Sequence, residues 1–307
     1  MARKTTPNEL KLCVDRVVPS EKLLDAALLA LAENNFNEPP PIEIKPGKPT
    51  PVLEMALATS KKWNNGRKLK IKFLDGSVKQ KKKTQQYAEH WLQWANLSLD
   101  FNGGSDADIR ISFKQQGSWS ALGTDSLLTD VFKKTDPTMN YGWLRDDSDE
   151  TEWRRVVLHE FGHALSAIHE HQNPKAGIKW NLAAVYKAYS GPPNNWSKEQ
   201  IDFNIVQKYS VDSLNATDFD GKSIMLYPFP AELIQGGKAT ARNTDASAND
   251  QKFIGEMYPK AQAAPTLEIA GVGAMAMAEA APPRQPVFFG AADFRLAAKR
   301  LQKLRAR

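Results

Sequence analysis

Four of the chain's five histidines fall within thirteen residues, in the segment Val156-Val-Leu-His-Glu-Phe-Gly-His-Ala-Leu-Ser-Ala-Ile-His-Glu-His171. His159 and His163 are four apart, so on a helix they sit one turn apart on one face and can share a metal ion. Glu160 is next to the first of them, where its carboxylate can reach a metal-bound water. His169 follows six residues after His163 and joins the pair if the helix ends between them and the chain turns back. Three neutral imidazoles leave a fourth zinc position open for water, the layout of a catalytic rather than a structural site. The set predicts one Zn2+ per chain, held by His159, His163 and His169. His171, only two residues beyond His169, reads as a supporting or surface side chain. His90 reads as a boundary residue. Cys13, the single cysteine, reads as an ordinary thiol rather than as an inhibitory ligand of the metal.

The histidines need a helix to carry them. Thr151 to Ile168 has a helical pattern, with Val156, Val157, Leu158 and Phe161 as its apolar positions and Asp149, Glu150 and Glu152 at an N-terminus that favours acids. Upstream, Lys68 to Leu74 alternates polar and apolar and reads as a strand. Lys79 to Trp94 reads as an amphipathic helix, its lysine run a solvated face. Ala107 to Phe113 alternates again, with Ile109, Ile111 and Phe113 on one face. Met139 to Leu144 is apolar. Ser197, with Gln200 three residues on, reads as a capping box. Further toward the N-terminus, Ser20 to Glu33 is helical, with Leu23, Leu24, Ala27, Leu28 and Leu31 on one side. Asn37 to Pro51 is a stiff proline-rich linker.

These patterns divide the 307 residues into an N-terminal extension with its linker (1–60), a folded domain (61–260), and an Ala/Pro-rich linker with a basic tail (261–307). Hydrophobic residues make up 41% of the chain and charged residues 25%, enough to build a core. One cysteine excludes an intrachain disulfide and a cysteine-based zinc finger. No run approaches 18 apolar residues, which excludes a transmembrane helix. Leu23 to Ala32 is short, carries Asp25 and lies behind mixed charges, the wrong layout for a secretory signal. The expected location is therefore the cytoplasm, or outside the cell by leaderless export.

The net charge is +6, and residues 294–307 hold six cations and no acid, so the body is about neutral. A neutral body argues against nucleic-acid binding. Phe294, Ala297, Ala298, Leu301 and Leu304 share a helical face in the tail. That face could meet a membrane or a partner, but a poorly ordered terminus is the favoured reading.

His-Glu-x-x-His followed by a third histidine six residues on resembles the zinc signature of the metzincin metallopeptidases, and the His169-Glu170 continuation is most similar to the astacin type. Downstream, Ser223-Ile-Met-Leu-Tyr227 resembles the Met-turn of that family. The resemblance runs from about Lys61 to Pro259, where Asp250 to Pro259 is similar to the usual close of such domains. It implies an α+β metzincin-like fold: a twisted mixed sheet, two long helices and an irregular C-terminal subdomain. Ala107 to Phe113 and Gly117 to Leu122 would be strands above the cleft. It implies Met225 as an apolar floor under the metal and Tyr227 as an additional zinc ligand that swings to stabilise the transition state. In the family a glycine stands where this chain has Ser166, and the glutamate matching Glu170 pairs with the trimmed N-terminus. A non-glycine residue in the left-handed turn at position 166 costs about 1–2 kcal/mol, less than zinc-coupled folding supplies, about 10–16 kcal/mol in small peptides.

The implied function is a zinc-dependent metalloendopeptidase. Glu160 takes the proton of the attacking water and delivers it to the leaving amine, and Tyr227 donates to the developing oxyanion. Polypeptide substrates would pair along an edge strand within Gly117 to Leu122. A non-proteolytic, zinc-containing module that binds peptides in the same cleft is the alternative, but such a binder has no need of Glu160. The chain is expected to act as a monomer.

Overall fold

The structure is a computed structural model. It describes residues 13, 14, 16, 18–37, 60–191, 194–208 and 218–260. Most of the proline-rich linker and the whole basic tail lie outside the described residues, as do the expectations placed on them.

The first helix, α1 (Leu23–Glu33), is preceded by a short turn of 3-10 helix at Ser20–Lys22. Its inner face differs from the leucine stripe the sequence suggests. Ala26, Ala27, Leu28 and Ala30 are buried, while Leu23, Leu24 and Leu31 are half-buried. The physical reason is the closeness of the contact. Small alanines let α1 lie against the helical turn at Gly123–Leu127, and Val18 and Ala26 pack on Leu128. Asn37 then ties the helix to the folded domain, donating to the carbonyls of Ala30 and Lys62.

The domain begins with β1 (Lys68–Phe73), whose alternate residues Leu69 and Ile71 are buried. Helix α2 (Val78–Ala88) follows, opened by a capping box between Ser77 and Gln80 and continued by a 3-10 turn through Gln93. Three strands follow: β2 (Ser98–Asp100), β3 (Ile109–Ser112) and β4 (Ser118–Ser120). After a long excursion the chain returns as β5 (Met139–Tyr141). The sheet order is β2-β1-β3-β5-β4, parallel except for β4, which pairs antiparallel with β5 and forms one edge. The polar face of β3 is buried too. Its Arg110 guanidinium is satisfied by the carbonyls of Ala107, Phe132 and Asp136, which explains why an alternating strand reads as buried throughout.

Helix α3 (Glu150–Ala164) packs with α2 on one face of this sheet. Asp149 caps it by accepting from the amides of Thr151 and Glu152. The core between helices and sheet contains Ile71, Ile111, Met139, Trp153, Val157 and Phe161. Beyond α3 the chain is mostly turns and short helices: α4 (Leu182–Ser190), α5 (Lys198–Ile201, with the Ser197–Gln200 capping box the sequence indicates) and α6 (Ala248–Met257). A second core beneath the cleft gathers Trp180, Val185, Tyr189, Ile205, Tyr227 and Phe229. This is the α+β arrangement of mixed sheet, two long helices and irregular lower half. Among the described residues no helix is long and apolar enough to cross a membrane.

Candidate metal centre and active site

Helix α3 supplies the first two imidazoles and then stops sharply. The amide of Ser166 donates to the His163 carbonyl at 2.8 Å and that of Ala167 to the Gly162 carbonyl at 2.9 Å. This pair of reversed bonds closes a helix through a left-handed residue. Ser166 is that residue, at φ 75°, so the expected non-glycine strain is present. The turn does more than end the helix, because the Ala167 carbonyl accepts from His163 Nδ1 at 2.8 Å. It also leads the chain back so that His169 reaches the other two rings.

The three Nε2 atoms converge: His159 to His163 3.2 Å, His159 to His169 3.2 Å, His163 to His169 2.9 Å. His159 Nδ1 donates to the Ile224 carbonyl at 2.8 Å. With their Nδ1 protons committed to carbonyls, His159 and His163 turn lone pairs, not protons, toward the common point. Burial, with the neighbouring His163 and His169, pushes the His159 pKa well below the ordinary value, so that ring is neutral near pH 7. Lone pairs facing one another at these separations need a cation between them. Tetrahedral ligands at zinc–nitrogen distances of about 2.0–2.1 Å stand about 3.3 Å apart, close to what is observed. The residues present therefore fit zinc.

The fourth member of the group is Cys13. One ligand atom from each of Cys13, His159, His163 and His169 lies within 4.8 Å of the others, and all four residues are buried. The thiol also meets Glu160, with Sγ 3.1 Å from Oε2. The expectation that Cys13 is an ordinary thiol is thus overturned. No local pattern marks it, because its neighbours in space lie 147 residues away in sequence. The segment is held against the sheet edge by a single bridge. Cys13 pairs parallel with Ser118 on β4, and the Val14 amide donates to the Ser118 carbonyl at 3.1 Å. Arg16 stacks over the Trp119 ring at 4.0 Å.

Beneath the imidazoles lies the turn at Ser223–Tyr227. Met225 is buried, and its sulfur approaches Gly162 so closely that a Cβ there would stand 2.4 Å from Sδ. A glycine inside a helix is destabilising by about 1 kcal/mol relative to alanine, and the approach of Met225 is what it permits here. That mid-helix glycine is a signal the sequence reading passed over. The turn is anchored by Asp250 of α6, whose carboxylate accepts from Ser223 Oγ and the Ile224 amide, both at 2.7 Å. Asp250 thereby fixes the Ile224 carbonyl that orients His159.

Tyr227 stands against His169, ring centroids 4.3 Å apart, and its hydroxyl donates to the Cys13 carbonyl at 2.7 Å. In this form the hydroxyl serves a peptide carbonyl. His171 is not among the grouped ligands. It is buried, stacks on Tyr227 at 4.7 Å, and its Nε2 sits 2.9 Å from the Asn204 carbonyl, so it supports the tyrosine. Glu170 accepts from the Asp220 amide and Asn173 Nδ2. Burial still pushes its carboxyl up to about 7. Beside Cys13 a small cleft is lined by Trp143, Arg155 and Val156 together with His159, Glu160 and Tyr227.

No protein-family model matches the chain, and no curated protein matches it. Two solved structures of myroilysin are similar to it. One is 38% identical with a TM-score of 0.62, the match covering 65% of this chain and 96% of that one. The other is 37% identical with a TM-score of 0.53, covering 66% and 87%. With the His-Glu-x-x-His signature and its converged histidines, this similarity places the chain in the astacin-like metzincin family of zinc metallopeptidases.

Proposed function

We propose that the chain is a zinc-dependent metalloendopeptidase held latent by its own N-terminal segment, with residues 1–60 as the inhibitory extension, 61–260 as the catalytic domain and 261–307 as an appended tail. The observation that carries the latency is the placement of Cys13. Its thiol joins His159, His163 and His169, touches Glu160, and its carbonyl takes the Tyr227 hydroxyl. One short segment thus engages the metal ligands, the base and the oxyanion donor together.

Zinc held by the three histidines supplies a water acidified to near neutrality and a Lewis acid for the scissile carbonyl. The chain's own residues do the rest. Glu160 removes the proton from the attacking water and returns it to the leaving amine. Tyr227 donates to the oxygen of the peptide carbonyl, as it does to Cys13 here, and its bond strengthens as charge develops there. Met225 keeps the underside of the site apolar and presses on Gly162. The substrate is an extended polypeptide laid along β4, whose free edge Cys13 and Val14 occupy in this form. The Tyr227 hydroxyl is already aimed at a peptide carbonyl. One chain supplies every group proposed here.

The test is cleavage of an unfolded protein by the zinc-loaded chain and by its Cys13→Ala and Cys13→Ala/Glu160→Ala forms, followed by mass spectrometry. Cutting by Cys13→Ala that disappears in the double variant is the expected result. Equal cutting with and without Glu160 contradicts the reading.

A further inference from the structure

Adjacent paired residues of a sheet point their side chains to the same face. Two successive pairings, through three residues, therefore define one row across the site. Tyr141 of β5 pairs with Ser118 of β4, and Ser118 pairs with Cys13. Cys13 directs its sulfur at Glu160, so Ser118 and Tyr141 face the same side, under α3. The ring contacts agree: Tyr141 packs on Phe113 at 5.6 Å, and Phe113 on Trp153 of α3 at 6.5 Å. Trp153 lies seven residues before Glu160, two turns along the same helix face.

The row contains polar atoms that the fold leaves unused. Ser118 and Tyr141 are both fully buried. Neither Ser118 Oγ nor the Tyr141 hydroxyl has a hydrogen-bond partner among the described residues, and the same holds for the Trp153 indole nitrogen. A buried polar group left unpaired costs about 1–3 kcal/mol. Alanine at 118 and phenylalanine at 141 would avoid it while keeping the packing. The Tyr141 phenol is pushed well above its ordinary value by burial and then by the charges of Glu160 and Cys13, so it remains a protonated donor within electrostatic reach of the base.

We infer that Tyr141 is a positioning residue for Glu160. Once Cys13 withdraws, the Tyr141 hydroxyl donates a hydrogen bond to the Glu160 carboxylate, directly or through a water seated on Ser118 Oγ, and sets the orientation in which that carboxylate meets the attacking water. In the latent form the thiol occupies the Glu160 oxygen instead, and the two hydroxyls stand idle. The role differs from that of Tyr227, whose hydroxyl serves the substrate carbonyl. The inference rests on the peptidase reading above.

The experiment uses the full-length, zinc-loaded chain with Cys13→Ala, with and without Tyr141→Phe. The expected result is a kcat lowered about tenfold with KM changed less than about twofold, because a bond to a charged group is removed and substrate contacts are not. Calorimetric affinity for a peptide hydroxamate, which gives its proton to the neighbouring carboxylate, weakens by a similar factor. Zinc content stays at the parent's value. Ser118→Ala gives a smaller loss of the same kind and carries the test if Tyr141→Phe loses zinc. An active parent whose kcat and hydroxamate affinity are unchanged by either substitution overturns the inference alone. A zinc-loaded Cys13→Ala parent that cuts nothing overturns the peptidase reading, and the inference with it.

Discussion

The imidazoles of α3 and the thiol of Cys13 reach one point by different routes and are held there differently. The histidines lie on a helix end and its return turn. The Nδ1 atoms of His159 and His163 are fixed by the carbonyls of Ile224 and Ala167, and Met225 packs against the helix between them. Cys13 is attached through a strand bridge, the Tyr227 hydrogen bond to its carbonyl, the contact of its thiol with Glu160 and the stacking of Arg16 on Trp119. Behind it, α1 rests on an alanine face and on ion pairs such as Lys22–Asp130 at 2.9 Å. The histidines sit on a helix of the main core, whereas Cys13 joins the second core from a segment bridged to a sheet edge. On the latency proposed above, the metal site is preorganised without Cys13, and release of the segment is the step that exposes it.

That contrast can be broken in order of effect. Glu160→Ala, in the Cys13→Ala background, should lower kcat by about 10²–10⁴, the range for a general base, with zinc content unchanged in elemental analysis. Cys13→Ala alone should raise the initial cleavage rate of the full chain at least about tenfold, since one strong ligand is traded for water. If the rate instead falls with loss of zinc, the thiol belongs with the preorganised histidines. Gly162→Ala forces Met225 away; overpacking costs about 1–3 kcal/mol, and the expected outcome is a lower Tm and weaker zinc retention.

Two smaller effects sharpen the account of the return turn. Glu170 has its folded pKa raised to about 7 from 4.5. Between those values the folded chain holds a proton that the unfolded chain has lost. Stability therefore falls as pH rises through this window, and Glu170→Gln should flatten that slope in urea titrations at successive pH values. Ser166→Gly should remove left-handed strain of about 1–2 kcal/mol, partly offset by about 0.4–1 kcal/mol of added unfolded-state freedom. A Tm rise of a few degrees is expected, with kcat unaltered.

The legible parts are those set by short-range geometry. The four-residue spacing of His159 and His163 is helical arithmetic, and the chain does turn at Ser166 to bring in His169. Alternation located β1 and β3, and Ser197 and Gln200 announced their capping box. The three-residue strands β4 and β5 are too short for a period to show. The buried face of α1 turned toward alanines because closeness to the domain outweighed the hydrophobicity of leucine. Cys13 escaped for a different reason: a contact spanning 147 residues leaves no local trace, and a lone cysteine looks like any small buried residue. The orienting groups on His159 and His163 are backbone carbonyls, which no residue type reveals.

The most direct test of the central claim is zinc K-edge X-ray absorption on the full-length, zinc-loaded chain. The account predicts one sulfur at about 2.3 Å beside three nitrogens at about 2.0–2.1 Å, with the sulfur lost in Cys13→Ala and the nitrogens retained. A first shell of nitrogen and oxygen alone in the parent would contradict it.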